Sequence, residues 1–226
     1  MERIICLAVG YVFGMFQTAY IYGKLHGIDI RNYGSGNAGT TNTMRVLGTK
    51  AGLLVLLCDI VKCILAIVVA GLVFGKTHPD MVYLLKIYAA TGAILGHNFP
   101  FYLHFKGGKG IAATAGMILA FHPYLIPMGI ILFFGAFFTT HYVSLGSLLV
   151  YTGFLIELIV LGQMGTFGMS QPMLIEMYVV AGALTVMAFY KHRENIKRLL
   201  TKTERKTYLS HKNKEAQEKE TNKQSF

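Results

Sequence analysis

The sequence predicts an all-α integral membrane protein with seven transmembrane helices, two of them short, built as one membrane domain over residues 1–204. Three observations carry that expectation. Of the 226 residues, 54% are hydrophobic and only 14% are charged, whereas a soluble domain carries about 25% charged residues. The apolar residues come in long blocks and not at amphipathic spacing. The basic residues, finally, gather in alternate connections between those blocks.

Residues 4–23 contain no charge, and crossing a hydrocarbon core takes roughly 20 apolar helical residues. The run is too long for a signal-peptide core of ~7–15 residues, and no small-x-small cleavage site precedes Lys24, so it reads as a retained helix. Residues 51–75 are interrupted only by Asp59 and Lys62, and residues 81–103 only by Lys86 and His97. Residues 110–140 carry no formal charge but are too long for one helix, and Pro123 and Pro127 sit near the middle. A helix breaks at an interior proline, so two short helices are expected, about 111–122 and 124–139. If that hairpin were re-entrant, the count would fall to five crossings. Residues 143–162 carry only Glu157, and 173–190 only Glu176. Cys6, Cys58 and Cys63 all lie inside apolar segments; they read as small hydrophobes, with no disulfide and no metal site.

The net charge is +10. Of the 21 Lys and Arg residues, 17 fall in residues 24–50, in 106–109 and from 191 onward. The positive-inside rule puts those connections in the cytoplasm and the N-terminus outside. The basic surplus is therefore a matter of membrane sidedness, and no nucleic-acid partner is expected. After Tyr190 the run KHRENIKRLLTKTERK reads as a basic amphipathic helix. Residues 205–226, charged, amide-rich and poor in branched apolar side chains, read as a disordered cytoplasmic tail.

Three polar stretches fall on the same side by this count. The first, GSGNAGTTNTMRVLG at 34–48, sets bare backbone beside hydroxyls, amides and one guanidinium. Glycines at 34, 36 and 39 let N–H groups converge on an anion. Ser35, Asn37, Thr41 and Asn42 add donors, and Arg45 offers a planar fork suited to phosphate. A flexible interhelical loop would also be rich in glycine; the density of donors around Arg45 favours an oxyanion site. The second, GHNFPFYLHFKGGKGIAATAG at 96–116, leads Gly107, Gly108, Lys109 and Gly110 into a helix start, where the helix dipole favours negative charge. It lacks the spacing of a nucleotide-binding P-loop. His97 reads equally as a structural or a catalytic histidine. The third, HRENIKRLLTKTE at 192–204, puts His192, Asn195 and Leu199 on one helical face. A weaker fourth stretch, HYVSLGS at 141–147, offers Ser144.

Taken together, the three stretches resemble the signature motifs of the PlsY family, bacterial membrane acyltransferases that use acyl phosphate to acylate glycerol 3-phosphate. SGNAGTTNTMR is similar to the first motif, GHNFPFYLHFKGGKG to the second and HRENIKRLLTKTE to the last, over residues 4–204. The resemblance implies a seven-helix fold in the bacterial plasma membrane, a cytoplasmic-face site and independence from acyl-CoA. It further implies acyl phosphate and glycerol 3-phosphate as substrates, membrane lipids as surroundings, no cofactor and a monomer. By motif position it makes Ser35, Arg45, Lys109, His192 and Asn195 the catalytic residues. Gly36, Asn37, Gly39, Thr41, Asn42, His97, Gly107, Gly108, Gly110 and Ser144 become substrate-binding residues. Either His192 or a substrate phosphate oxygen would take the hydroxyl proton.

Three positions depart from the family pattern. Ala112-Ala113-Thr114 shifts the hydroxyl after GGKG by one place, His141 stands where the fourth stretch usually begins with arginine, and Lys202 replaces a glycine. These departures keep open a divergent non-catalytic relative. Asp59, Lys62, His97 and Glu157 inside apolar segments keep open a transporter of a phosphorylated solute, although no inverted repeat of broken helices is present. Acyl-CoA-dependent acyltransferases carry a His-x₄-Asp pair, and none of the eight histidines is followed by such an aspartate.

Overall fold

The computed structural model describes residues 1–208, and among these the regular structure is entirely helical. Ten α-helices follow one another: α1 Glu2–Gly14, α2 Thr18–Leu25, α3 Thr40–Leu47, α4 Thr49–Phe74, α5 Val82–Asn98, α6 Ile111–Phe121, α7 Leu125–Thr140, α8 Val143–Gln163, α9 Gln171–Lys191 and α10 Arg193–Leu200. Four spans are long and apolar enough to cross a membrane: α1 with α2, α4, α8 and α9. Helices α6 and α7 are apolar but shorter.

Helix α5 is the axis of the bundle, packed against α1, α4, α6 and α9. Its Leu84, Leu85, Ile87, Ala89, Ala90 and Ala93 are all fully buried, as expected of a helix apolar on every side. The outer helices instead leave large apolar side chains exposed, among them Leu57 and Leu72 of α4, Ile131 and Phe138 of α7, and Val186 of α9. Such a surface belongs in lipid, where only structures that satisfy their own backbone can stand.

Because lipid is as apolar as the helices, close packing must hold them together. The contact between α1 and α5 shows how. Gly10 and Gly14 face Gly92 and Gly96, and a Cβ on any of the four would overlap a backbone carbonyl of the opposite helix. Four residues separate each glycine from its partner on the same helix, which puts both on one face. At the far end from the polar loops, Arg3 Nε meets Glu176 Oε1 at 2.6 Å, and the Tyr88 hydroxyl donates to the same oxygen at 2.8 Å. This clamp joins α1, α5 and α9.

The expected interruption at Pro123 is present, between α6 and α7. A second interruption was not legible in the sequence. The uncharged run 4–23 is split into α1 and α2 around Met15–Gln17, with no proline to cause it. Carbonyls freed in the middle of an apolar bundle need donors, and two side chains supply or use them. The Gln17 amide donates to the carbonyls of Gly14, Gly96 and His97 at 3.3, 3.2 and 3.0 Å. Lys62 donates to the Phe16 carbonyl at 2.8 Å.

The composition places residues 205–226 in a tail. Residues 205–208 are packed against the bundle end, and residues 209–226 lie outside the described residues.

The α1–α5 contact predicts that Gly92→Val lowers the thermal unfolding midpoint in detergent, because overpacking there costs about 1–3 kcal/mol. A Cβ on Gly182 of α9 meets nothing within 4 Å, so Gly182→Ala leaves the midpoint no lower. Equal midpoints for both variants would contradict this packing.

Candidate active site

The polar stretches meet at one end of the bundle. The first is a loop that builds its own frame. Asp29 pairs with Arg31 at 2.7 Å, and the Arg31 guanidinium holds the Asp29 carboxyl down at about 2. Arg31 also donates to the Leu103 carbonyl at 3.2 Å, joining the first stretch to the second. Asn42, almost fully buried, accepts from the Ser35 N–H at 2.7 Å and donates to the carbonyls of Ile30 and Tyr33. Its amide therefore shapes the loop instead of standing free for a ligand, which corrects the expectation from the motif. Gly34 lies at φ +61° against that amide, and a Cβ there would overlap Asn42 Oδ1. Ser35 and Gly36 remain exposed, Asn37 and Thr41 are half-buried, and Gly39 is buried as the cap of α3. Arg45, in the last turn of α3, donates to the Thr207 hydroxyl at 2.8 Å.

In the second stretch the N–H groups of Gly107 and Gly108 turn back to the carbonyls of Asn98 and His97, at 3.2 and 3.1 Å. Those two donors hold the loop and do not stand free for a ligand, although the motif resemblance names Gly107 and Gly108 as substrate-binding. The N–H groups of Lys109, Gly110 and Ile111 find no partner among the described residues. Gly110, at φ +82°, caps α6. The displaced hydroxyl of Thr114 is buried, donating to Gly110 O at 2.9 Å with the Tyr151 hydroxyl within hydrogen-bond distance at 2.6 Å. It is a core contact.

The third stretch starts where α9 gives way to α10. His192 is buried, and its Nδ1 lies 2.8 Å from the Ala188 carbonyl, so the proton sits on Nδ1 and Nε2 keeps its lone pair. Burial first, and then the Lys109 ammonium, push the His192 pKa down to about 4. Lys109 donates to Asn195 Oδ1. Burial, followed by the charge of Arg198, lowers the Lys109 pKa to about 8, with Glu204 opposing.

Glu204 is the residue that sequence reasoning left without a role. After α10 the Thr203 N–H bonds to the Arg198 carbonyl and the Lys202 N–H to the Leu199 carbonyl, a Schellman turn with Lys202 in the left-handed position. The turn sends the chain back into the site. There the Glu204 carboxylate accepts from Asn195 Nδ2 at 2.6 Å, Ser144 Oγ at 2.9 Å and Arg198 Nε at 2.8 Å. Burial alone raises its pKa, but the three hydrogen bonds outweigh it, and the group lies below the usual carboxylate value. Three residues on, the Thr207 N–H donates to the His141 carbonyl at 2.9 Å, and the Tyr208 ring lies 4.6 Å from the His141 ring. His141 thus docks the returning chain. The one signal available beforehand was an acid at the end of a strongly basic run.

Lys109, Asn195, Ser144, Arg198 and Glu204 form one bonded cluster, and Arg45 is joined to the same returning segment. A family model described as glycerol-3-phosphate acyltransferase matches residues 4–202. The chain belongs to the glycerol-3-phosphate acyltransferase family.

Among relatives in that family, glycerol-3-phosphate acyltransferase 3 of Bacillus anthracis is 40% identical over 208 residues, covering 91% of this chain and 96% of its own. Glycerol-3-phosphate acyltransferase of Mycoplasmopsis synoviae strain 53 is 38% identical over 219 residues, covering 90% and 94%. The fold is similar to the crystal structure of PlsY, an integral membrane glycerol 3-phosphate acyltransferase, in its glycerol 3-phosphate form. That match has a TM-score of 0.78 and 30% identity, and covers 92% of this chain and 96% of that one. The lysophosphatidic acid form matches with a TM-score of 0.75 and 29% identity. The glycerol-3-phosphate acyltransferase fold here is thus an acyltransferase scaffold in a multi-pass membrane protein.

Lys202, at φ +57°, stands where the family motif usually has glycine. A left-handed conformation costs a side-chain-bearing residue about 1–2 kcal/mol. Lys202→Gly is therefore expected to raise the thermal unfolding midpoint by about 2–4 °C; an unchanged or lower midpoint would show that the turn is unstrained.

Proposed function

We propose that the protein transfers a fatty acyl group from acyl phosphate to the sn-1 hydroxyl of glycerol 3-phosphate, releasing lysophosphatidic acid and phosphate. The observation that carries this reading is the pairing of two separate cationic features at one end of an apolar bundle. One is Arg45 beside the 34–42 loop, and the other is Lys109 at the start of α6. Both substrates bear phosphate, and the acyl chain of one belongs among lipid-facing helices.

In this reading Arg45 and the exposed Ser35, with the backbone of Gly36, Asn37, Gly39 and Thr41, hold glycerol 3-phosphate. Lys109 and the unpartnered N–H groups of Lys109, Gly110 and Ile111 receive the acyl phosphate. The hydroxyl oxygen attacks the carbonyl carbon, the carbon–oxygen bond to phosphate breaks, and the hydroxyl proton ends on phosphate. An acyl phosphate is already activated, so positioning and charge stabilisation suffice. With a pKa of about 4, His192 is a weak base at neutral pH. A phosphate whose second pKa is about 6 is better matched to accept the proton. His192 then serves as a fixed, uncharged acceptor through Nε2, while Asn195 and Ser144 orient the site through Glu204.

The charge asymmetry supports seven crossings, with the N-terminus outside and the site on the cytoplasmic face of the bacterial plasma membrane. Residues 1–204 act as one membrane domain, as a monomer.

The test is turnover of labelled glycerol 3-phosphate by the purified protein with palmitoyl phosphate or palmitoyl-CoA. Product is expected with palmitoyl phosphate only; product with palmitoyl-CoA only would overturn the reading, and product with neither would mark a non-catalytic relative. Arg45→Ala is expected to raise the apparent KM for glycerol 3-phosphate or abolish turnover. In the active protein kcat/KM for acyl phosphate should fall as pH rises through about 8, because Lys109 is charged below that value and neutral above it. Lys109→Arg should remove this alkaline limb, and a limb that persists unchanged would assign it to another group.

A further inference from the structure

Asp59, Lys62 and His97 are buried together beneath the second polar stretch, where α4 meets α5, at 1%, 4% and 3% exposure. An ammonium has three protons and no lone pair. The Lys62 ammonium pairs with Asp59 Oδ1 at 2.7 Å and hydrogen-bonds to the Phe16 carbonyl at 2.8 Å and to His97 Nδ1 at 2.9 Å, closer to that nitrogen than Asp59 Oδ1, which lies 3.5 Å from it. A group that only donates forces His97 Nδ1 to accept. The proton of the neutral imidazole therefore sits on Nε2.

That nitrogen lies against Gly108. A Cβ on Gly108 would overlap His97 Nε2, and the same Cβ would sit 2.8 Å from the Ala38 carbonyl. Nε2 is thus at the seam between the first and second stretches, beside Lys109, and finds no acceptor among the described residues. The His97 backbone is held as well. Its carbonyl accepts from Gly108 N–H and from the Gln17 amide. A pairing that served only to neutralise charge within α4 would need Asp59 and Lys62 alone, three residues apart on one helix. The remaining two lysine protons reach off that helix, one to α5 and one to the break between α1 and α2.

We propose that Asp59 and Lys62 are positioning residues acting through His97, fixing its proton on Nε2 as an uncharged, immobile donor to the phosphate held at the 107–110 loop. The inference rests on the acyl-phosphate reading for what the donor meets, and on the geometry alone for which nitrogen carries the proton. The preorganised donor stabilises charge on the phosphate as it departs. Gly108 is bare because any side chain there would displace this nitrogen.

Two measurements test it. Nitrogen-15 NMR of histidine-labelled protein is expected to show His97 neutral and protonated on Nε2. The doubly substituted Asp59→Asn, Lys62→Met protein, which leaves no orphan charge, is expected to show a mixture of tautomers. A wild-type Nδ1–H tautomer overturns the proposal, whether or not the protein turns over palmitoyl phosphate; failure of turnover bears only on the acyl-phosphate reading. In the active protein, His97→Phe is expected to lower kcat/KM for palmitoyl phosphate about hundredfold, and His97→Gln, whose amide nitrogen can stand near Nε2, to recover most of that loss. The Asp59→Asn, Lys62→Met pair should cost about tenfold or more beside His97 and little beside His97→Gln, since glutamine has no tautomer to fix. The same factor in both backgrounds would overturn the proposal by making the pair a structural element only.

Discussion

Positive charge crowded at the end of an apolar bundle is the constraint on which this site depends. Lys109, Arg198, Arg45 and Arg205 lie close enough for their charges to act on one another. Like charges in a poorly solvated place repel strongly, and at Lys109 burial first and the Arg198 charge second bring the pKa down to about 8. The buried anion that opposes them is Glu204, which accepts from three side chains on two elements of the fold, α8 and α10. Its carboxylate holds α8, α10 and, through Asn195, the start of α6 at fixed spacing. The site is thereby kept open to anions without falling apart by its own repulsion.

The rest of the bundle answers a different problem. Apolar helices in lipid have no hydrophobic reason to prefer one neighbour, so specificity must come from shape and from buried polar contacts. Here shape is set by the glycine faces of α1 and α5. Polar contacts are placed where the backbone is interrupted: Gln17 and Lys62 meet the carbonyls around the break between α1 and α2. These contacts also run toward the site, since His97 and Gly96 accept from Gln17 and His97 in turn supports Gly108. Packing, helix breaks and the polar loops are one connected arrangement.

Much of this was legible from residue order. Uncharged runs located the long helices, and Pro123 located the hairpin of α6 and α7, because a proline acts through its own ring and missing N–H. The three polar stretches announced an anion site, since glycines, hydroxyls and isolated cations state their chemistry locally. What escaped were features whose cause lies elsewhere in the chain. The break at Met15–Gln17 depends on donors and acceptors from α4 and α5, and no window around Gln17 contains them. Asn42 looked like a ligand donor but fastens its own loop. In the sequence, Glu204 reads only as the end of a basic helix and Thr207 as part of the disordered tail, because a basic, amide-rich composition says nothing about a turn that folds back. Lys202 in the glycine position was noticed, and the structure shows it completing that turn.

A pH profile of a charge-neutral, near-isosteric variant addresses the central claim most directly. If Glu204 is the counter-charge that sustains the Lys109 ammonium, Glu204→Gln must shift the alkaline limb of kcat/KM for acyl phosphate below its wild-type position near 8. A limb that stayed in place in a stably folded Glu204→Gln protein would contradict the claim that this carboxylate balances the site.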